Sequence, residues 1–302
     1  MIPSERLKGI EAFVCAADSG SFTAAADRLN LTNSAVSKGI ARLETRLGSR
    51  LFERTTRRLV LTDQGEAFYA TCVRVLADLA EAEAVLAAHG AEPVGRLKVD
   101  VPIAFGRIQV LPLLLAFAER HPQLRPNITF TDRFVDVIEE GVDVGVRIGA
   151  SAVAAPGLGR RYLGTERVIF CASPAYLERR GAPLSADNLA NYDCVLYGKA
   201  DGSTIAWRFV QGADATELSP MSGRIVLGSA EAQVGAVKAG FGIAQLATWL
   251  IKEELARGEL VEILPDLATD GLPLHLVWPR SRQLSPKVDA LLEMLASGLR
   301  ID

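Results

Sequence analysis

Six apolar residues, Phe68, Cys72, Val75, Leu79, Ala82 and Leu86, follow one another at spacings of 4, 3, 4, 3 and 4. That alternation constrains the chain more than any other feature. It is the a/d seam of a coiled coil on one long helix, with Thr62 as its N-cap and Gly90 beyond its end near His89. At ~1.5 Å per residue the helix extends roughly 40 Å, farther than the residues before it can cover. A second copy of the same helix is the simplest partner, and packing on the chain's own body is the alternative. The seam therefore predicts a dimer and separates a small head from a large body.

The head reads as helices. Leu7, Ile10, Phe13 and Val14 recur at helical spacing up to Ser19-Gly20. Ser21 is placed to cap a second helix over 22–29, with Ala25, Ala26 and Leu29 inward. After the turn Asn30-Leu31-Thr32-Asn33, Thr32 or Asn33 caps a third helix, whose stripe Val36, Ile40, Leu43 and Leu47 ends at Gly48. Two short helices joined by a tight turn make a helix-turn-helix. The face opposite that stripe offers Asn33, Ser34, Ser37, Lys38 and Arg42, short hydrogen-bonding groups near the helix start and long cations farther along. That order suits base edges first and phosphates or guanine after. Residues 50–54 and 59–61 read as two strands of a wing, with Arg54, Arg57 and Arg58 at or near its tip.

Charge agrees with that placement. Residues 1–62 hold ten Lys or Arg against six Asp or Glu, an excess of four, within a chain whose net charge is -3. The other 240 residues therefore carry seven surplus negative charges. A basic head on an acidic body points to a polyanion contact at one end.

Beyond the linker 91–95 the pattern changes to β-α-β-α-β: strand 97–101, helix 106–120, strand 127–131, helix 134–140 and strand 142–148. That order predicts a parallel sheet with helices on its faces. A second αβ block spans about 168–264, with helix 231–238, strand-like 242–246 and a helix to Arg257. Strand 274–278 and helix 286–299 close the chain and return to the first block. The fold class is α/β overall, with an all-α winged head, a linker helix and two αβ lobes. In such sheets ligands sit beyond the carboxyl ends of strands, where helix N-termini offer amides to anions. Ile103, Ala104 and Phe105 lie at one such point and Arg147, Ile148 and Gly149 at another. In the second lobe they are Ser229 with Ala230, and Gln245 with Leu246. Ser229 reads equally as a simple cap, and Arg147 as an ion-pair partner.

The N-terminal run resembles the LysR family of transcriptional regulators. The resemblance is carried by 22–29 (FTAAADRL), 34–37 (SAVS), Ile40 to Glu44, Leu47-Gly48, 50–54 (RLFER) and 62–65 (TDQG). In the body, 143–149 (DVGVRIG), 172–177 (ASPAYL) and 240–244 (GFGIA) match more loosely. The resemblance implies a dimer or tetramer on an interrupted palindromic operator in double-stranded DNA. It also implies C-terminal lobes like those of a periplasmic binding protein, with a small co-inducer between them. It makes the sites above pocket positions, and a small anion the expected effector. Thr23, Arg54, Thr56 and Arg57 join the helix residues as DNA contacts. Asn33 stands where relatives often have proline, and Gly39 where alanine is common; Gly228-Ser229-Ala230 and Ala247 depart from the pocket pattern. The ligand class therefore does not transfer directly.

Other functions fit less well. There is no HExxH, P-loop or nucleophile elbow, and Gly240-Phe241-Gly242 lacks the third glycine of a dinucleotide fingerprint. The expectation is no enzyme, no cofactor and no metal. Four scattered cysteines without a CxxC pair read as core residues of a reducing compartment. The first ten residues carry Glu5, Arg6 and Lys8 rather than the pattern of a signal peptide, which predicts a cytoplasmic protein. A DNA-binding regulator without any small ligand is the alternative reading.

Overall fold

The apolar spacing of the head becomes three helices packed on one core, α1 (Pro3–Ser19), α2 (Phe22–Leu29) and α3 (Asn33–Leu47). The computed structural model describes residues 3–54, 59–87, 92–133, 135–149, 157–211, 215–283 and 285–301. It forms two units, Met1–Gly90 and Ala91–Asp302. Ser21 caps α2 by accepting from the Ala24 amide, and Thr32 caps α3 by accepting from Ala35 at 3.2 Å. Phe13, Ala25, Val36, Ile40 and Leu43 are buried together, whereas Leu47, expected on that stripe, is 40% exposed. It is the last residue of α3, just before the left-handed cap Gly48.

Strands β1 (Phe52–Arg54) and β2 (Leu59–Leu61) pair antiparallel, Phe52 opposite Leu61. Thr62 then caps α4 (Asp63–Ala87), accepting from the Gly65 amide at 3.0 Å. The seam divides along this helix. Phe68 and Cys72 pack into the head's own core, while Val75 and Leu79 remain 42% and 39% exposed. The side chains of Ala82 and Leu86 lie outside the described residues.

In the second unit β3 (Gly95–Val101) leads into one unbroken helical run. It comprises α5 (Ile103–Phe105), a π turn over Gly106–Val110, and α6 (Leu111–Arg120). β4 (Leu124–Phe130) and β5 (Val144–Ile148) flank β3, both parallel to it. The helix expected over 134–140 is not there. Phe134 lies outside the described residues, and 137–141 form turns. Asp136 accepts there from the amides of Ile138 and Glu139, a capped turn that goes no further.

The second lobe begins within β6 (Leu158–Ala172) and continues through α7 (Pro174–Arg180), β7 (Val195–Tyr197), β8 (Trp207–Gln211), β9 (Ala215–Ser219) and β10 (Ile225–Leu227). After these come α8 (Ala230–Lys238), β11 (Ala244–Ala247), α9 (Lys252–Ala256) and β12 (Val261–Ile263). β13 (Thr269–Pro279) and α10 (Pro286–Gly298) then return to the first lobe. The main sheet runs β11–β6–β13–β5–β3–β4, with β12 also on β6. It is mixed rather than parallel, because β13 comes back from the second lobe antiparallel to both β5 and β6. The first-lobe core joins Leu97, Val99, Phe105, Val144 and Val146 to Leu291 and Leu295 of α10. Along the end of β6, Ile169 and Cys171 enter one core while Phe170 and Ala172 enter another, as expected of a strand covered on both faces.

Candidate DNA interface and inter-lobe cleft

On α3 the buried stripe fixes what faces outward. Asn33, Ser34, Lys38 and Arg42 are exposed and Ser37 is half-buried. The Asn33 side chain donates to Thr23 Oγ1 at 2.7 Å, so two of the expected DNA contacts join α2 to the start of α3. Glu44, which sequence reasoning used only as part of a family signature, has a local task. Its Oε1 accepts from the amides of Leu51 (2.8 Å) and Phe52 (3.3 Å), holding the start of β1 against α3. Arg54 lies in β1, but its side chain, with Thr56, Arg57 and Arg58, is outside the described residues.

The lobes meet where β3 and β4 end. Ile103 is exposed, and its amide donates to Asp132 Oδ1 at 3.0 Å. Across from it stands Tyr197 of the second lobe. Its phenol is pushed above the usual value by burial, and further by the charge of Asp132 and a hydrogen bond to it. Arg107, in the π turn, reaches Glu231 in the first turn of α8, its Nε at 2.8 Å from Oε1. Ser229 caps α8 by accepting from Ala232 at 3.3 Å, and Ala230 packs against the first-lobe core. The structure thus brings Ile103, Ser229 and Ala230 to the cleft. It adds Asp132, Tyr197, Arg107 and Glu231, which the sequence reading missed. Asp132 was within reach of the same strand-end rule, since it follows β4; Tyr197 carried no signal.

Other expected pocket residues are committed elsewhere. The Arg147 guanidinium is buried and pairs with Asp100 at 2.6 Å; burial pushes the Asp100 carboxyl up even with that cation beside it. Phe105 is buried edge-on to Trp249, ring centroids 5.0 Å apart, and Ala104 is buried beside it. Ile148 packs on the first-lobe core, and the Gly149 amide donates to Pro273 O at 2.9 Å. Gln245 is tied at both ends to Arg208, accepting from its amide (2.8 Å) and donating to its carbonyl (2.6 Å). Leu246 lies in the second-lobe core. The expectation of an anionic effector rested on open amides at helix starts. At Ile103 that amide already holds a carboxylate, and Glu231 stands in the first turn of α8.

Comparison with known proteins gives the same two parts. Residues 7–66 match the bacterial regulatory helix-turn-helix protein, lysR family, and residues 90–300 match the LysR substrate binding domain. An uncharacterized HTH-type transcriptional regulator of Haemophilus influenzae is 33% identical over 95% of this chain and 98% of its own length. The solved structure of CrgA, a LysR-type transcriptional regulator from Neisseria meningitidis, is 31% identical. It covers 96% of this chain and 97% of its own, with a TM-score of 0.61. Full-length AphB of Vibrio cholerae, at 24% identity, covers 97% of this chain and 99% of its own with a TM-score of 0.63, a likeness of fold.

Proposed function

The chain belongs to the LysR family of DNA-binding transcription regulators, and we propose from that premise that α3 reads its operator while the cleft holds its effector. LysR-type regulators bind DNA and small molecules and form oligomers. For this chain we assign DNA reading to residues 1–62, dimerisation to the helix that follows, and effector binding to the two lobes. Base contacts fall to Ser34 and Ser37, phosphate or guanine contacts to Lys38 and Arg42, and backbone contacts to the wing. The operator is an interrupted palindrome met by a homodimer or homotetramer in the cytoplasm, and the chain catalyses no reaction. Among the described residues no helix is long and apolar enough to cross a membrane.

The observation that carries the reading is the division of α3 into a buried stripe, Val36, Ile40 and Leu43, and a polar face on which Asn33, Ser34, Lys38 and Arg42 are exposed. Sequencing the genomic fragments retained by the purified protein supplies the operator. Arg42→Ala should then weaken binding several-fold and flatten its salt dependence by about one counterion, with the oligomer intact. An unchanged affinity and slope would remove Arg42 from the interface.

A further inference from the structure

Two long strands, β6 and β13, carry the chain between the lobes, and both are irregular at the crossing. The β6–β13 register shifts between Asp270 and Pro273 and again between Leu274 and His275. On β6 Gly164 holds φ +151, a conformation that favours glycine. Hinges of this kind absorb dihedral change at a few positions.

Glu166 sits at this crossing, only 7% exposed. Its Oε1 accepts from Trp249 Nε1 at 2.8 Å, and its Oε2 accepts from the Leu272 amide at 3.1 Å. Three segments therefore meet on one carboxylate: β6, the turn after β11, and the irregular stretch of β13. Trp249 in turn stands edge-on to Phe105, two residues on from Ile103, whose amide donates to Asp132 at the cleft. Two neutral donors and the charge of Arg208 on β8 act on the group; among the described residues no salt bridge compensates it. A buried carboxylate is costly when it lacks a charged partner. A core built for stability alone would not need one.

We propose that Glu166 is the positioning residue of the inter-lobe hinge, its charge state setting how firmly the crossing strands are tied to Trp249 and thus to Phe105 of α5. This rests on the reading of the lobes as the effector domain. Burial pushes the Glu166 carboxyl above its ordinary value of 4.5, against the lowering effect of its two hydrogen bonds and Arg208. A carboxyl raised on folding binds its proton more tightly in the native state. The fold therefore holds this contribution in full below pH 4.5 and loses it as pH rises through the folded value. The hydrogen bonds from Trp249 and Leu272, by contrast, favour the charged form and tighten as Glu166 ionises.

The test uses the full chain and the operator fragments above, with affinity measured upward from pH 4.5 across the range in which the chain stays folded. Wild type should show an affinity change of at least threefold with a single midpoint. Glu166→Gln should flatten that profile. Trp249→Phe, which keeps an aromatic ring near Phe105 but removes the indole donor, should move the midpoint upward. Tryptophan fluorescence of the wild type should titrate with the same midpoint. A profile unmoved by both substitutions would overturn the hinge assignment, and so would a flat wild-type profile. Should Glu166→Gln fail to fold, an unshifted midpoint in Trp249→Phe overturns it alone. A wild type that retains no DNA would sink the regulator reading itself, which the fluorescence titration does not depend on.

Discussion

At the residue scale, two glycines of the head meet opposite surroundings. A Cβ on Gly65 would lie 2.1 Å from the Leu51 carbonyl oxygen, so the start of α4 can approach the wing only with glycine there. That oxygen also accepts from the Thr62 amide at 3.0 Å, and the Thr62 hydroxyl accepts from the Gly65 amide (3.0 Å) while donating to the Arg50 carbonyl (2.8 Å), which explains physically why threonine and glycine stand where they do in 62–65. Gly39, inside α3, has nothing within 4 Å of a built Cβ. Gly39→Ala should raise stability by roughly 0.5–1 kcal/mol, while Gly65→Ala should cost about 1–3 kcal/mol by overpacking. Denaturant unfolding of the three proteins checks both signs. A loss of operator affinity in Gly39→Ala without a loss of stability would mean that DNA approaches the backbone there. The cysteines are read correctly as core residues: all four are buried and free, with Cys171 pushed up to about 12 and Cys194 to about 11 by burial.

At the scale of elements, α4 shows how one pattern serves two purposes. The heptad alternation is continuous, but its first two positions, Phe68 and Cys72, are consumed by the head. Val75 and Leu79 are the described positions left for a partner. Leu79→Asp should therefore break the dimer and leave the head folded, which light scattering and circular dichroism would show together. A dimer that survives at low concentration would place the association elsewhere. Helices of this chain were legible because their apolar spacing and caps are local. The early half of β6 was not, since Arg160 and Arg161 interrupt any strand pattern and its pairing with β13 is distant in sequence. The segment 135–141 misled for the opposite reason, as the apolar spacing of Val135 and Val137-Ile138 suits a helix that Asp136 ends within a turn.

For the whole molecule, the charge of the cleft follows from which side chains the two lobes bring face to face. Asp132 takes the Ile103 amide and Glu231 pairs with Arg107, so both helix starts meet the chain's own carboxylates. The Arg107–Glu231 pair is exposed and contributes at most about 1 kcal/mol to closure, so a ligand can displace it. Replacing Asp132 by Asn and Glu231 by Gln together should strengthen the binding of a small carboxylate such as butyrate about tenfold, roughly 1.4 kcal/mol. Calorimetric titration of both proteins measures it. Equal affinities would show that these carboxylates do not govern the effector's charge.

By itself the sequence determined the helix-turn-helix, its caps, the polar face of α3 and the alternation of the long helix, because each depends on residues within four or five positions of one another. It also determined that strands and helices alternate in the body. Only the tertiary structure decided the mixed order of the sheet, the burial of Arg147 against Asp100 and the presence of Asp132 on the Ile103 amide. It alone decided that the seam from Phe68 to Leu86 begins inside the head rather than between two chains. The physical reason is common to all four. Burial and pairing are settled by groups far apart in sequence, and a local pattern shows that a face is apolar without showing what covers it.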